Sequence, residues 1–137
     1  MKKLILTILT TITILGVNAQ GNNLQFNQVI NNEYTLSSFL DHRYTQAGSI
    51  TVPTNKVYKI TSASAYRWDG GSNDYTTGCS IKVGENILYD YSYSNGGQIS
   101  NTPVWLSSGT YIVYLRSLAQ FSELKGALSI VEFNIVP

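Results

Sequence analysis

Alternation of apolar and polar residues with a period of two dominates this 137-residue sequence after residue 20. Segments such as 79–83 and 111–117 combine this alternation with β-branched and aromatic residues, and Gly, Asn, Asp and Ser separate them. A period of two is typical of β-strands, because successive side chains of a strand point to opposite faces. No amphipathic helix with a period of 3.6 follows residue 20. The sequence therefore predicts an all-β protein.

Short strands at regular spacing predict how the chain is layered. The segment 83–87 predicts a hairpin, because Gly84 and Asn86 tolerate the positive φ angles of a tight turn. Pro53 and Pro103 are expected at strand ends, since proline cannot donate to a ladder. Together these features predict an antiparallel β-sandwich of the jelly-roll type. The predicted strands are 24–30, 34–36, 49–52, 57–65, 79–83, 87–93, 98–100, 111–117 and 127–136.

The N-terminus predicts export. Lys2 and Lys3 precede an uncharged run over residues 4–17, and Ala19 offers a small residue before a cut. A membrane anchor is the alternative, but the run contains four threonines and is shorter than the roughly 20 residues that span a bilayer. A lipid anchor would need a cysteine where Gln20 stands. We expect a cleaved signal peptide over 1–19, a single domain over 20–137, and secretion to the periplasm or the cell exterior.

Charge and composition exclude several classes of partner and cofactor. The chain carries 9 basic and 8 acidic residues, so it lacks the basic surface that nucleic acids or anionic membranes require. One His and one Cys cannot make a zinc site, which takes about four such ligands. A lone Cys forms no internal disulfide, and Cys79 alternates with Ile81 and Val83, so we expect it in the core. We predict no metal and no other cofactor.

Three segments carry a family resemblance. They are residues 50–60 (ITVPTNKVYKI), 102–106 (TPVWL) followed by 109–111 (GTY), and 130–135 (IVEFNI). This set resembles segments of small secreted Bacteroidetes β-sandwich proteins of unassigned function. The resemblance implies the fold and the compartment. Its motifs are turn and core positions, so it implies no catalytic residue.

A polar and aromatic segment is the first candidate for ligand binding. It places Tyr66, Trp68, Asp69 and Tyr75 together, and ligand sites favour loops on a rigid scaffold. We predict that these four residues and Tyr93, beside a Gly-rich turn, bind a ligand. One alternative is an ordinary turn in which Trp68 caps the end of the sandwich. Another is a calcium site with oxygens from residues 69, 73 and 74, although the EF-hand spacing is missing.

A row of tyrosines is the second candidate. Ile87, Tyr89, Tyr91 and Tyr93 share one strand face by the period of two. This row predicts either a stacking platform for sugar rings or a face that Ile87 anchors to the core. We favour the core for Tyr89 and exposure for Tyr93. The opposite face, which begins with Leu88, is expected in solvent.

Two strands are apolar on both faces. In 111–117, Val113 and Leu115 lie on one face, and Ile112 and Tyr114 lie on the other. In the last strand, residues 128 and 130 share one face, and residues 131, 133 and 135 share the other. A strand with one solvated face should alternate cleanly. The second face is therefore expected to be covered by another subunit or by a loop, unless a bulge near residues 130–131 switches the faces.

Catalytic motifs are weak in this sequence. No Gly-x-Ser-x-Gly elbow occurs, and His42, the single imidazole, is expected at the surface. We predict a secreted, non-enzymatic module that binds carbohydrate or another cell-surface component through its loop aromatics. The alternative is a self-associating structural subunit of an extracellular or virion-associated assembly. A small hydrolase with a carboxylate pair is the weakest hypothesis.

Overall fold

The computed structural model describes residues 23–39, 43–68, 73–74, 78–92, 97–118 and 121–136. Strands joined by turns and short irregular segments make up these ranges, and they contain no helix. No helix able to cross a membrane occurs in them either. The predicted signal peptide, His42, Asp69, Tyr75 and Tyr93 lie outside the described residues.

The strands form two antiparallel sheets that pack face to face. The first sheet has the order β1-β10-β3-β4, and β8 pairs with a separate part of β3. The second sheet has the order β2-β9-β5-β6-β7. This arrangement confirms the predicted all-β sandwich. The strands are β1 Asn23–Phe39, β2 Thr45–Val52, β3 Lys56–Trp68, β4 Asn73–Asp74, β5 Cys79–Val83, β6 Asn86–Ser92, β7 Gly97–Ser100, β8 Val104–Leu106, β9 Gly109–Ser117 and β10 Phe121–Val136.

Several strands are longer than the sequence predicts. The predicted strands 24–30 and 34–36 form one strand, because the polar residues 31–33 between them continue the ladder with β10. β3 runs on through Trp68, since β10 pairs with it to the end. β8, which alternation did not predict, is three residues long and follows the cis peptide bond between Thr102 and Pro103.

The core lies between the inner faces of the two sheets. Its members are aliphatic side chains with three tyrosines at the margins, and the buried Cys79 confirms the prediction for that residue. The predicted hairpin between β5 and β6 is also confirmed, with Gly84 at φ +55°. The largest fully buried aliphatic side chains are Ile60, Ile81, Leu88, Leu106, Leu115, Leu124, Ile130, Val83 and Val113.

Two glycines mark where backbone and side chain approach closely. A Cβ on Gly126 of β10 would collide with the side chain of Leu115 and come within 3.0 Å of Ile81, both from the opposite sheet. A Cβ on Gly48 of β2 would lie 2.7 Å from the ring of Tyr34 in β1. The second contact joins the two sheets at one corner of the sandwich.

A bulge in β6 corrects the predicted tyrosine row. Lys82 pairs with Ile87 and Ile81 pairs with Tyr89, so Leu88 is one residue in excess. Leu88 turns into the core with no exposed surface, whereas Ile87 is 38% exposed. The predictions that Ile87 anchors the tyrosine face and that Leu88 is solvated are therefore wrong. The core position expected for Tyr89 is confirmed, since it is buried in the core cluster.

Apolar residues do occupy both faces of β9 and β10. In β10, Leu128 and Ile130 are buried, while Val131 and Phe133 lie on the outer face of the first sheet. A bulge near residues 130–131 of β10 was the alternative explanation, and it is absent. The ladder between β10 and β3 is irregular at this point, but the residue in excess is Thr61 of β3. The two-sided pattern thus reflects a real apolar outer face.

Candidate functional site

A shallow trough of about 380 Å³ lies on the outer face of the first sheet. It crosses β1, β10 and β3, and most of the residues that line it are polar or small. The lining residues are Asn31, Asn32, Glu33, Ser62, Ser64, Ala127, Leu128 and Ser129.

The strand register explains the trough. One row across the sheet sets Asn31 opposite Ser129 and Ser129 opposite Ser62. The adjacent row sets Glu33 opposite Ala127, which lies opposite Ser64. Alternation brings these residues to the outer face, and their small size on β10 and β3 leaves the floor low. Amides, hydroxyls and a carboxylate therefore surround a space of ligand size.

Larger side chains border the trough on both sides. Tyr66 follows Ser64 on the same face of β3 and pairs with Lys125 of β10. On the other side lie Lys59 and Trp105, which are neighbours in the ladder of β3 and β8. The Lys59 Nζ atom is 5.1 Å from the centroid of the Trp105 ring, a cation–π distance.

Charges near the trough largely compensate each other. The Nζ atom of Lys125 is 3.6 Å from a carboxylate oxygen of Glu33 and 3.6 Å from one of Glu123. Desolvation opposes the charge on Lys125, but the attraction of Glu123 and Glu33 outweighs it and raises the pKa of the ammonium group. The trough is therefore a polar surface of low net charge, which suits a neutral, hydroxyl-rich ligand.

The structure shows two of the five predicted binding residues, both on strand β3. Tyr66 is half-buried at the border of the trough. The backbone of Trp68 ends β3 opposite Glu123. Residues 66–68 were predicted in a loop, and this was wrong, because the ladder with β10 includes them and Arg67 is buried. Asp69, Tyr75 and Tyr93 lie outside the described residues.

The tyrosine row does not offer a platform within the described part of β6. Tyr89 is buried and Tyr91 is half-buried against the core. A stacking surface for sugar rings needs exposed ring faces. Tyr66 and Trp105, on the outer face of the first sheet, come closer to that requirement.

A second polar cluster, which sequence reasoning missed, lies on the outer face of the second sheet. Arg116, Ser80 and Asp90 are neighbours on β9, β5 and β6. The Arg116 Nη2 atom lies 3.2 Å from an oxygen of Asp90 and 3.2 Å from the Ser80 hydroxyl, which donates to Asp90. Tyr44 stacks on the guanidinium at 4.7 Å. These contacts link three strands of the second sheet, whereas the Arg116 Nε atom and the Tyr44 hydroxyl are buried without a hydrogen-bond partner among the described residues.

A third cluster surrounds Glu132 at the end of the first sheet. Its carboxylate accepts hydrogen bonds from Lys56 Nζ at 2.9 Å, from the Asn27 amide and from Gln28 at 3.3 Å. Burial by itself raises the pKa of Glu132, but hydrogen bonds from Lys56, Asn27 and Tyr58 outweigh it and lower the pKa to about 2. A carboxylate this strongly held is a poor proton donor at neutral pH.

Among the described residues, no three His, Cys, Asp or Glu side chains come together in a way that could hold a metal ion. The oxygens considered for calcium at residues 69, 73 and 74 belong to side chains that the structure does not describe.

Comparison with known proteins adds little. No protein-family model and no curated protein sequence matches this chain. Among solved structures, the crystal structure of SPBc2 prophage-derived protein YomS aligns with 80% of this chain and 99% of its own, at 12% identity and a TM-score of 0.23. A likeness at that level supports no argument about this chain.

Proposed function

We propose that this protein is a secreted, non-enzymatic module that binds a neutral carbohydrate in the trough on its first sheet. The observation that carries the proposal is the trough itself, with its floor of Ser62, Ser64 and Ser129 and its border at Tyr66. Sugars combine hydroxyls, which hydrogen-bond to amides and serines, with apolar C–H faces, which stack on aromatic rings. Low net charge near the trough favours a neutral sugar over an acidic one.

The proposal keeps the ligand class predicted from the sequence but places the binding site at other residues. The sequence pointed to loop aromatics, whereas the supporting groups lie on the strands β1, β10 and β3. Tyr66 belongs to both descriptions. Export by the N-terminal signal is part of the proposal, since glycans of cell surfaces lie outside the cytoplasm.

Binding to soluble polysaccharides tests the proposal. The full chain is run in native gels containing a neutral glucan, xylan or mannan, and retardation reports binding. We expect Ser64→Tyr, which fills the floor, to abolish retardation. We expect Tyr66→Ala to weaken binding about tenfold, the equivalent of roughly 1.4 kcal/mol.

A matched control separates blocking from unfolding. Thr51→Tyr adds the same ring to the outer face of the second sheet, where Thr51 is exposed, and should bind like the wild type. The proposal fails if no neutral glycan retards the protein, or if Ser64→Tyr and Thr51→Tyr behave alike. The same gels test Trp68→Ala and Tyr93→Ala, which the sequence-based prediction expects to weaken binding.

A structural subunit of an extracellular or virion-associated assembly is the second candidate. The observation that favours it is the apolar outer face at the start of β1. Sedimentation of the full chain tests it, since a subunit that stays monomeric at micromolar concentration would not build such an assembly.

A further inference from the structure

The first sheet carries an exposed apolar patch next to its trough. Four of its residues have large exposed fractions: Leu24 43%, Phe26 60%, Val29 54% and Trp105 50%. The register brings Phe26 beside Phe133, and the Phe133 ring lies 5.5 Å from that of Trp105. The patch, called the β1 patch below, consists of Leu24, Phe26, Val29, Trp105, Val131, Phe133 and Ile135.

The β1 patch reaches the edge of the sheet. β1 pairs with β10 on one side and has no strand partner on the other side among the described residues. The contact of Tyr34 with Gly48 joins the second half of β1 to β2. The first half, residues 23–32, is the part of this edge that carries Leu24, Phe26 and Val29 of the β1 patch, and it is called the open edge below.

This open edge lacks the usual protection against pairing with another strand. Residues 23–32 read NLQFNQVINN, with no charged residue, no proline and no glycine. Natural edge strands commonly carry lysines, prolines or inward-pointing charges that discourage association. One bulge at Asn27 is the protective feature that this stretch retains.

The absence of charge also favours a second copy of this chain as the partner. When a strand pairs antiparallel with a copy of itself, a charge near the two-fold axis approaches the same charge of the other copy, which is unfavourable. Residues 23–32 avoid this penalty entirely. The first charge on the strand is Glu33, which already faces Lys125 of the same chain.

Edge pairing of β1 brings exposed apolar side chains of the two copies together. Leu24, Phe26 and Val29 project from β1 itself, and each is exposed by more than two fifths. Trp105 belongs to β8, beyond β10 and β3, and stays outside this contact. The backbone of residues 23–32 supplies the hydrogen bonds of the new pair.

We propose that two copies of this chain form a dimer by antiparallel pairing of residues 23–32, which joins the two first sheets into one continuous sheet. Outward side chains must meet outward side chains in such a sheet, and the bulge at Asn27 places Phe26 and Val29 both outward. The register that satisfies this sets Phe26 of each copy beside Val29 of the other. Dimerisation is independent of the proposed glycan binding, so its test contains no ligand.

Sedimentation velocity from 1 to 100 µM tests the dimer. The full chain is produced in a secreting host, and its intact mass is recorded. We expect a dimer for the wild type and a monomer for Phe26→Lys, because the lysine faces an apolar residue across the axis. The double variant Phe26→Lys with Val29→Glu should recover the dimer, since each lysine then faces a glutamate of the other copy.

The control is Ile112→Lys, a similar change at an exposed apolar residue of the second sheet, which should remain dimeric. Circular dichroism verifies that every variant keeps its strand content. A wild type that stays monomeric at 100 µM overturns the proposal. So does loss of the dimer in Ile112→Lys, persistence of it in Phe26→Lys, or failure of the double variant to recover it.

Discussion

The Nζ atom of Lys56 lies 2.9 Å from a carboxylate oxygen of Glu132, which is almost completely buried. The two residues come from β3 and β10, where Lys56 pairs with Asn134, two residues from Glu132. Burying a charge is expensive unless it is paired and hydrogen-bonded. The pair can therefore stabilise the fold only while Glu132 stays ionised, which makes it sensitive to acid.

The pH dependence of stability follows from this pair. Burial acts to raise the pKa of Glu132, and the hydrogen bonds bring it down from 4.5 to about 2. The stabilisation is complete above about pH 4.5 and is lost as the pH falls towards 2, because the carboxylate then takes up a proton in both states. We expect the urea midpoints of the wild type and of Glu132→Gln to converge over that range. Glu85→Gln, at an exposed carboxylate, is the control, and parallel curves for the wild type and Glu132→Gln would contradict the expectation.

The bulge in β6 makes the neighbouring residues Ile87 and Leu88 differ in burial. Leu88→Ala should destabilise the protein by about 2–4 kcal/mol, because it leaves a cavity in the core. Ile87→Ala should cost below about 1 kcal/mol, since Ile87 is partly in solvent. Urea denaturation measures both. Equal losses would show that the two side chains do not differ in burial as described.

The close approach of the two sheets at Gly126 leaves no room for a methyl group. Gly126→Ala should destabilise the protein by about 1–3 kcal/mol, because Leu115 must move from its position. Thr35→Ile adds volume on the exposed face of β1 and should change stability by about 0.5 kcal/mol or less. Thermal unfolding followed by circular dichroism gives both values. A Gly126→Ala protein as stable as the wild type would contradict the packing.

Two ion pairs of the second sheet should differ in their contribution to stability. Asp90→Ala leaves the half-buried Arg116 and the buried Ser80 without their shared acceptor, at a cost of about 1–3 kcal/mol. Glu85→Ala removes the exposed partner of Lys82, at a cost of about 0.5 kcal/mol or less. Raising the salt concentration should erase the second loss before the first. Chemical denaturation at two salt concentrations measures the difference.

Alternation was sufficient to predict most strands, because a period of two reports which face of a strand is buried. It is correct for Cys79–Val83, where the alternating apolar residues Cys79, Ile81 and Val83 are all buried. It fails at Leu88, because the extra residue of the bulge exchanges the buried and the exposed face of the strand. The sequence alone does not reveal such a bulge, since the alternation of residue types continues through it. Alternation also stopped β3 before Tyr66, because the buried position there is occupied by Arg67, where alternation expects an apolar residue.

The candidate site could be predicted only in part. Tyr66 was recognised as an aromatic residue with polar neighbours, which is a local signal. The trough joins Asn31, Ser129 and Ser62, which are far apart in sequence and meet only through strand pairing. Serines and asparagines scattered along a chain resemble ordinary turn or surface residues. Their position in one row is a property of the register, which a single sequence does not display.

The side of β3 that faces away from β10 has a consequence for the length of ligand that the trough can admit. β8 pairs with β3 at residues 58–60 and β4 at residues 67–68, so among the described strands none flanks residues 61–66 on that side. A ligand lying across β1, β10 and β3 could therefore leave the sheet over this gap without meeting a wall. Such a site binds internal units of a polymer rather than the terminal unit. The fraction of protein bound should therefore rise with the number of repeats per polymer molecule.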